Sequence, residues 1–259
     1  MDERTLRKAL SDIPLGSLRA FKQTGSTNNM ALAWATDGAP DLSIVYAEEQ
    51  TSGRGRGDRR WFTRSGTALA FSIILRPLSG EELSVPLFSG MGAVAVCDAL
   101  GRRGMHPEIK WPNDVLLNRR KVCGILAESV WIGENVDSVI LGIGINVKAE
   151  SVPLFERLNF PATSLEAETG KSEDRLSLFR DIIQALLFWR DLLTKEAFIH
   201  AWGNYLAFQG EQVEIQVKGE VSKTGKIEGL KANGSLILRS ADETTFTVQF
   251  GEVHLRPVI

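Results

Sequence analysis

The segment Gly53-Arg54-Gly55-Arg56-Gly57-Asp58-Arg59-Arg60-Trp61 decides how the rest of the chain is read. Before it, Ser43 to Glu48 is rich in β-formers (Ile44, Val45, Tyr46) and predicts a strand. After it, Thr67 to Leu75 predicts a buried strand, stopped by Pro77. The segment from Thr51 to Gly66 is therefore a connection tethered at both ends by a sheet, which suits a binding loop better than a tail. Four arginines fall within seven residues, and they repel one another unless an anion or solvent separates them. Arginine supplies planar, permanently charged forks that match phosphate and carboxylate. The alternating glycines let the backbone turn its N–H groups toward a ligand. Composition alone favours a solvated basic loop or an RNA-contacting segment; the tethering tips the balance to a binding loop.

Working outward, Pro14 and Gly16 end a short helical preamble too brief to hold a separate DNA-binding domain. Phe21 to Gln23 reads as a strand, and Ser26 or Thr27 is placed to cap a helix running through Trp34. Residues 82–103 read as one buried helix. Ile109 to Trp111 and Asp114 to Leu117 flank a Pro-Asn turn, and Val122 to Trp131 pairs with Ser138 to Val147 across a turn at Gly133-Glu134-Asn135. Helical period returns at Leu176, Phe179, Ile183, Leu186, Leu187 and Leu193. After Phe208 short alternating runs (Val213, Ile215, Val217; Leu236, Leu238; Phe246, Val248) predict a small all-β, barrel-like module.

Composition excludes several classes. The chain has 259 residues and a formal charge of −2 (30 Lys+Arg, 32 Asp+Glu), unlike a generic nucleic-acid binder, which is strongly basic. Two cysteines exclude a disulfide framework, and a reducing cytoplasm is the default compartment. No secretory h-region follows Met1, and no apolar run is long enough to span a membrane. Gly90-Met91-Gly92-Ala93-Val94-Ala95 fits a dinucleotide fingerprint but follows no clean strand, so helix packing explains it better. His106, His200 and His254 lack metal-ligand spacing.

Two further segments carry chemistry. Lys110-Trp111-Pro112-Asn113-Asp114, followed by Lys121 and Gly124, sets a cation, an aromatic, a forced bend and a carboxylate side by side. Lys110 in apolar surroundings wants a ligand or an acid, and Asp114 is one candidate for that acid. Gly142-Ile143-Gly144-Ile145-Asn146-Val147 places glycines inside a strand, where they weaken it unless something approaches closely. Tight packing within the sheet explains that segment at least as well as a ligand.

Together these segments resemble a biotin protein ligase, specifically the catalytic and C-terminal domains of the bacterial enzyme. Gly25-Ser26-Thr27-Asn28 is similar to the family's early Ser-Thr segment, and Glu49 to Arg56 to its glycine-arginine loop. Lys110 to Asp114, Lys121 with Gly124-Ile125-Leu126, and Gly142 to Val147 resemble the next three motifs. Gly251-Glu252-Val253-His254-Leu255-Arg256 resembles the end of the small β-barrel domain. The matches run in order over nearly the whole chain. Many relatives have another Gly at the position of Asp58 and a basic or apolar residue at that of Gly57. The repressor-type N-terminal DNA-binding domain has no counterpart, so DNA is not an expected partner.

The resemblance implies an α+β fold: a class II synthetase-like catalytic domain over residues 1–207, with a mixed sheet flanked by helices, then a small SH3-like β-barrel over 208–259. It implies that biotin and ATP, with Mg²⁺, give biotinyl-adenylate and pyrophosphate, and that biotin then passes to one lysine of a carboxylase's biotin carboxyl carrier domain. Arg54, Arg56, Lys110, Asp114 and Lys121 become the expected catalytic groups. Ser26, Thr27, Gln50, Gly53, Arg54, Arg56, Lys121 and Gly124 are expected around biotin, with Trp61 covering it. Arg56, Lys110, Trp111, Asn113, Asn146 and Arg256 are expected at ATP. Asp114 would orient the acceptor lysine or take its proton, the alternative being a structural pairing with Lys110. The family includes monomers and homodimers and leaves both open here. A lipoate or octanoate ligase or transferase of the same fold is the neighbouring alternative, and an arginine-loop nucleic-acid-binding module the distant one.

Overall fold

The computed structural model describes residues 1–57, 59–153, 160–217, 222–249 and 253–257, without the side chains of residues 83, 217 and 253–256. Seven strands form one mixed sheet: β1 (Leu18–Phe21), β2 (Ser43–Ala47), β5 (Ala68–Leu75), β6 (Glu108–Lys110), β7 (Asp114–Leu117), β8 (Arg120–Ile132) and β9 (Asn135–Asn146). Their order is β1-β2-β5-β9-β8-β7-β6. Only the β1–β2 pair is parallel, joined by helix α2 (Thr27–Thr36); every other pair in this sheet is antiparallel. The first strand sits earlier than the sequence predicts, because Leu18 is the buried anchor and Lys22 already lies beyond its end. The arginine segment is not an irregular loop. Strands β3 (Gln50–Arg54) and β4 (Arg60–Thr63) pair with each other as a separate hairpin inserted between β2 and β5.

Strand period 2 sorts the sheet into two unlike faces. One carries Leu69, Phe71, Ile73, Leu141, Ile143, Ile145, Cys123 and Ile125, all buried in the large core. Against it pack α3 (Leu87–Gly101) and α5 (Arg175–Asp191), with Phe71 meeting Phe179 edge-on at 4.9 Å. The other face carries Ala70, Ser72, Gly142, Gly144 and Gly124, which lie side by side in register across β5, β9 and β8. Residues this small cannot fill the space above the sheet. Helix α2 covers only one end of this face, through Ala31, Trp34 and Ala35 against Val45, Ile74 and Ile140. A hollow remains beside it.

The helix predicted over 82–103 is split. A 3-10 turn (Glu82–Ser84) precedes α3, and Pro86 stands just before the first helical residue, where its missing N–H leaves no gap in the ladder. A Cβ on Gly90 would lie 2.3 Å from the Trp202 ring, so this glycine serves helix packing, as expected. Asp174 caps α5 by accepting from Leu176 and Ser177 N–H (3.1 and 3.2 Å). The remaining helices are α1 (Glu3–Ala9), α4 (Leu165–Thr169) and α6 (Glu196–Asn204). The C-terminal part forms a five-stranded antiparallel sheet from β10 (Gln212–Val217), β11 (Lys223–Leu230), β12 (Leu236–Arg239), β13 (Thr245–Val248) and β14 (Val253–Pro257), ordered β13-β12-β11-β10-β14. Its inward residues Val213, Ile215, Ile227, Leu236 and Leu238 belong to the same hydrophobic cluster as the main sheet.

Candidate active site

The hollow over the small-residue face is a cavity of about 420 Å³, within the usual range for a small-ligand site. At one end stands the N-terminus of α2. Ser26 occupies the N-cap position but makes no capping bond with its side chain, contrary to the sequence reading. Gln50 of β3 does that work instead: its Oε1 accepts from the Thr27 N–H at 2.8 Å, and its Nε2 donates to Thr63 Oγ1 at 3.0 Å. A free helix N–H must find a partner, and here that need ties the hairpin to the helix. The Ser72 hydroxyl lies 2.8 Å from Thr27 Oγ1 and 2.6 Å from Asn28 Oδ1, and Asn28 Nδ2 donates to Glu128 at 2.8 Å.

The glycines of β9 are explained by two side chains of the protein itself. A Cβ on Gly142 would fall 2.0 Å from Asn28 Oδ1, and one on Gly144 would fall 2.3 Å from the Trp61 indole. A Cβ on Gly124 would lie 3.1 Å from the same indole. Trp61 thus lies flat on β8 and β9, and its Nε1 is buried with no hydrogen-bond partner. The packing and functional readings of this motif converge, since the packed side chains are themselves the cavity wall.

Much of the lining is charged. Six cations line the cavity (Arg54, Arg56, Arg59, Arg60, Lys110 and Lys121) against one carboxylate, Asp114, among the described residues. Arg54 is partly neutralised outside the cavity, by an ion pair with Glu128 and a hydrogen bond to Asn29 Oδ1 at 2.6 Å. Arg56 donates to Asn113 Oδ1 at 3.2 Å, and Asn113 in turn donates to the Ile125 carbonyl. Asp114 pairs with Lys121 at 2.6 Å; the structural partner expected for it, Lys110, stands opposite on β6 with its ammonium 4.7 Å from the Phe160 ring. Burial pushes the Asp114 carboxyl up, but Lys121 and Lys110 outweigh it and hold the group below its usual value. Asp114 is therefore a carboxylate at neutral pH. The positive excess that remains suits an anionic ligand.

Most residues expected at the site line this one cavity: Ser26, Thr27, Gln50, Arg54, Arg56, Trp61, Lys110, Asn113, Asp114, Lys121, Gly124 and Asn146. Asn146 donates to the Thr163 carbonyl at 3.0 Å, which holds its side chain in the cavity wall. Two expected residues are elsewhere. Gly53 does not line the cavity; a Cβ there would meet the Trp61 carbonyl at 2.3 Å, so it serves the hairpin pairing. Trp111 is buried and its Nε1 donates to the Gly234 carbonyl of the second sheet at 3.0 Å, which is not the nucleotide contact anticipated. The Arg256 side chain, Asp58 and the Gly251-Glu252 pair lie outside the described residues. Sequence reasoning missed Ser72, Phe160 and Glu128. Glu128 was findable, since it stands an even number of residues from Gly124 on one strand and so shares its face. Among the described residues no group of three or more His, Cys, Asp or Glu is placed to hold a metal ion, and no helix is long and apolar enough to cross a membrane.

Comparison with known proteins gives a consistent result. Residues 20–146 match the model of the biotin/lipoate A/B protein ligase family. The chain is 37% identical to the biotin--[acetyl-CoA-carboxylase] ligase of Paracoccus denitrificans, over 84% of this chain and 92% of that protein. It is 35% identical to the bifunctional ligase/repressor BirA of Bacillus spizizenii, over 93% of this chain and 75% of that one. Among solved structures, the biotin protein ligase from Aquifex aeolicus in complex with biotin and ATP superposes with a TM-score of 0.80 at 28% identity, covering 93% of this chain and 99% of the other.

Proposed function

The chain belongs to the biotin protein ligase family and is a ligase, and from that premise we propose that it condenses biotin with ATP to biotinyl-5′-adenylate and passes the biotinyl group to a lysine of a carboxylase carrier domain. One observation carries this reading: a single cavity is lined both by neutral hydrogen-bonding groups beside the N-terminus of α2 (Thr27, Gln50, Asn28) and by six cations against one carboxylate among the described residues. A bicyclic ureido head suits the first set and the reacting carboxylate and phosphates the second. Trp61, lying on the glycines between them, would cover the ring system.

In the first step a biotin carboxylate oxygen bonds to the α-phosphorus of ATP and pyrophosphate leaves. The carboxylate is already ionised at neutral pH, so no general base is needed; the obstacle is bringing one anion onto another. Arg56, Lys110 and Lys121 line the cavity and would screen that repulsion and stabilise the charge that builds in the transition state. Mg²⁺ fits this donor set as an ion carried on the phosphates, since among the described residues the cavity offers one carboxylate and that one is engaged by Lys121. When bound it would neutralise the pyrophosphate. In the second step the acceptor lysine gives its ammonium proton to solvent, its neutral amine bonds to the acyl carbon as the bond from that carbon to the phosphate oxygen breaks, AMP leaves, and the remaining amine proton passes to solvent. Asp114, ionised and lining the cavity, would hold the incoming lysine ammonium by charge before it loses its proton; its lowered pKa makes it a weak proton acceptor.

The test is biotin-dependent exchange of labelled pyrophosphate into ATP. The purified protein is expected to catalyse it with biotin, and lipoate in biotin's place is expected to give none. Exchange with lipoate alone would move the assignment to the neighbouring branch of the fold, and no exchange with either would end the ligase reading. Arg56→Ala is expected to slow the exchange by roughly 10²–10³, the size of losing one preorganised charge contact.

A further inference from the structure

The arginine hairpin leaves the main sheet after β2 and returns at β5, and one carboxylate stands at both of its feet. Glu48 directly follows β2 and is itself the first foot. Its Oε2 accepts from the backbone N–H of Gly66, the second foot, at 3.1 Å. Gly66 has φ +76°, a conformation that suits glycine and aims that N–H at the acid. The carboxylate is braced from behind by the first residue of α5. Arg175 donates to Glu48 Oε2 at 3.0 Å, to Oε1 at 3.3 Å, and to the Ala68 carbonyl at the start of β5 at 3.0 Å. The Tyr46 hydroxyl donates to Oε1 at 2.7 Å, and the Met1 ammonium contacts the same oxygen. Glu48 is 9% exposed, so these bonds act away from bulk water, where a charge-assisted bond is strong.

Neither residue lines the cavity, yet the hairpin between the two feet carries Gln50, Arg54, Arg56 and Trp61, all of which do. We propose that Glu48 and Arg175 are positioning residues: a two-foot clamp that fixes the spacing at which the hairpin presents these side chains to the ligand. The consequence for catalysis rests on the ligase reading above; the clamp itself does not. Loosening the feet lets the hairpin swing about β2 and β5 while β8 and β9, hydrogen-bonded along their length, stay as they are.

Arg175→Gln removes the brace. In the protein without ligands, amides of residues 51–65 are expected to exchange with deuterium roughly 10–100-fold faster, the range for losing a hydrogen bond to a charged group. Amides of β8 and β9 are expected to keep their wild-type rates. With substrates, the KM for biotin is expected to rise about tenfold with kcat changing less, because ordering a loosened hairpin costs binding free energy in the ground state and the transition state alike. Unchanged exchange in 51–65, or an equal rise across β8 and β9, would overturn the clamp. If Arg175→Gln does not fold, Glu48→Gln, which keeps volume and an acceptor for Gly66, takes its place with the same expectations. A wild-type protein inactive in pyrophosphate exchange would end the ligase reading and leave the deuterium result to judge the clamp alone.

Discussion

At the scale of single residues the site is governed by which charge stands next to which. Asp114 shows this best. Its neighbours Lys121 and Lys110 hold its carboxyl below the ordinary value of 3.8 despite burial. The sign follows from linkage: a lowered folded-state pKa contributes stability that is present above the unfolded value and is lost as pH falls through the folded one. Between about pH 5.5 and 8, a range above the reference carboxylate pKa, the group stays charged and cannot bend a rate profile. Asp114→Asn keeps the shape and removes the charge, and is expected to slow biotin transfer to the acceptor about 10²-fold through misplacement of the lysine. The ratio of wild-type to variant rate is expected to stay flat over that pH range. A ratio that changes tenfold across it would show that Asp114 titrates there as a base. Lys110 was legible in the sequence as a charge in apolar surroundings and Asp114 as its nearby acid, whereas Lys121, which follows Arg119 and Arg120, took its role from the family resemblance. Their pairing was not legible: Lys110 is nearer in sequence, but the antiparallel return of β8 brings Lys121 to the carboxylate.

At the scale of elements, the sheet makes its cavity by withholding side chains from one face. Ala70, Ser72, Gly142, Gly144 and Gly124 stand together only because three strands are in register, and register is a long-range property that no local window shows. The sequence reading therefore found Gly142 and Gly144 but left their purpose open. Asn28 supplies it for Gly142, and for Gly144 the indole of Trp61 does, crossing from β4 to lie on β9. Gly144→Ala would put a methyl 2.3 Å from that indole, and the indole, at the far end of a hairpin side chain, is what must move. The backbone of β9 is expected to hold, with a stability loss within about 1–3 kcal/mol, the ordinary range for overpacking. Biotin KM is expected to rise roughly 10–100-fold, with a shift in tryptophan emission marking the displaced ring. Wild-type KM in a stably folded variant would mean that Trp61 does not shape the bound state. The missed helix α4 has a related cause: five residues capped by Ser164 offer no hydrophobic period to detect.

At the scale of the whole molecule the question is what joins the two sheets. The apolar residues of the second sheet continue the hydrophobic cluster of the first, and Trp111 bonds across the junction to the Gly234 carbonyl. Its sequence neighbours Lys110, Asn113 and Asp114 all line the cavity, and that company made Trp111 look like a nucleotide contact. A motif read as a line assigns one role to consecutive residues, whereas the bend at Pro112 turns them to different sides. The junction role makes a separable prediction. Trp111→Phe keeps most of the buried ring but leaves the Gly234 carbonyl without its donor, at a cost of about 1–3 kcal/mol. For a chain of this size the melting temperature is expected to fall by roughly 2–4 °C per kcal/mol, measured by scanning calorimetry. The loss should be steepest in the step that releases the second sheet, because the bond spans the two. If the variant instead melts as the wild type does while its KM for ATP rises, the indole belongs to the nucleotide after all and the junction is held by apolar contact alone.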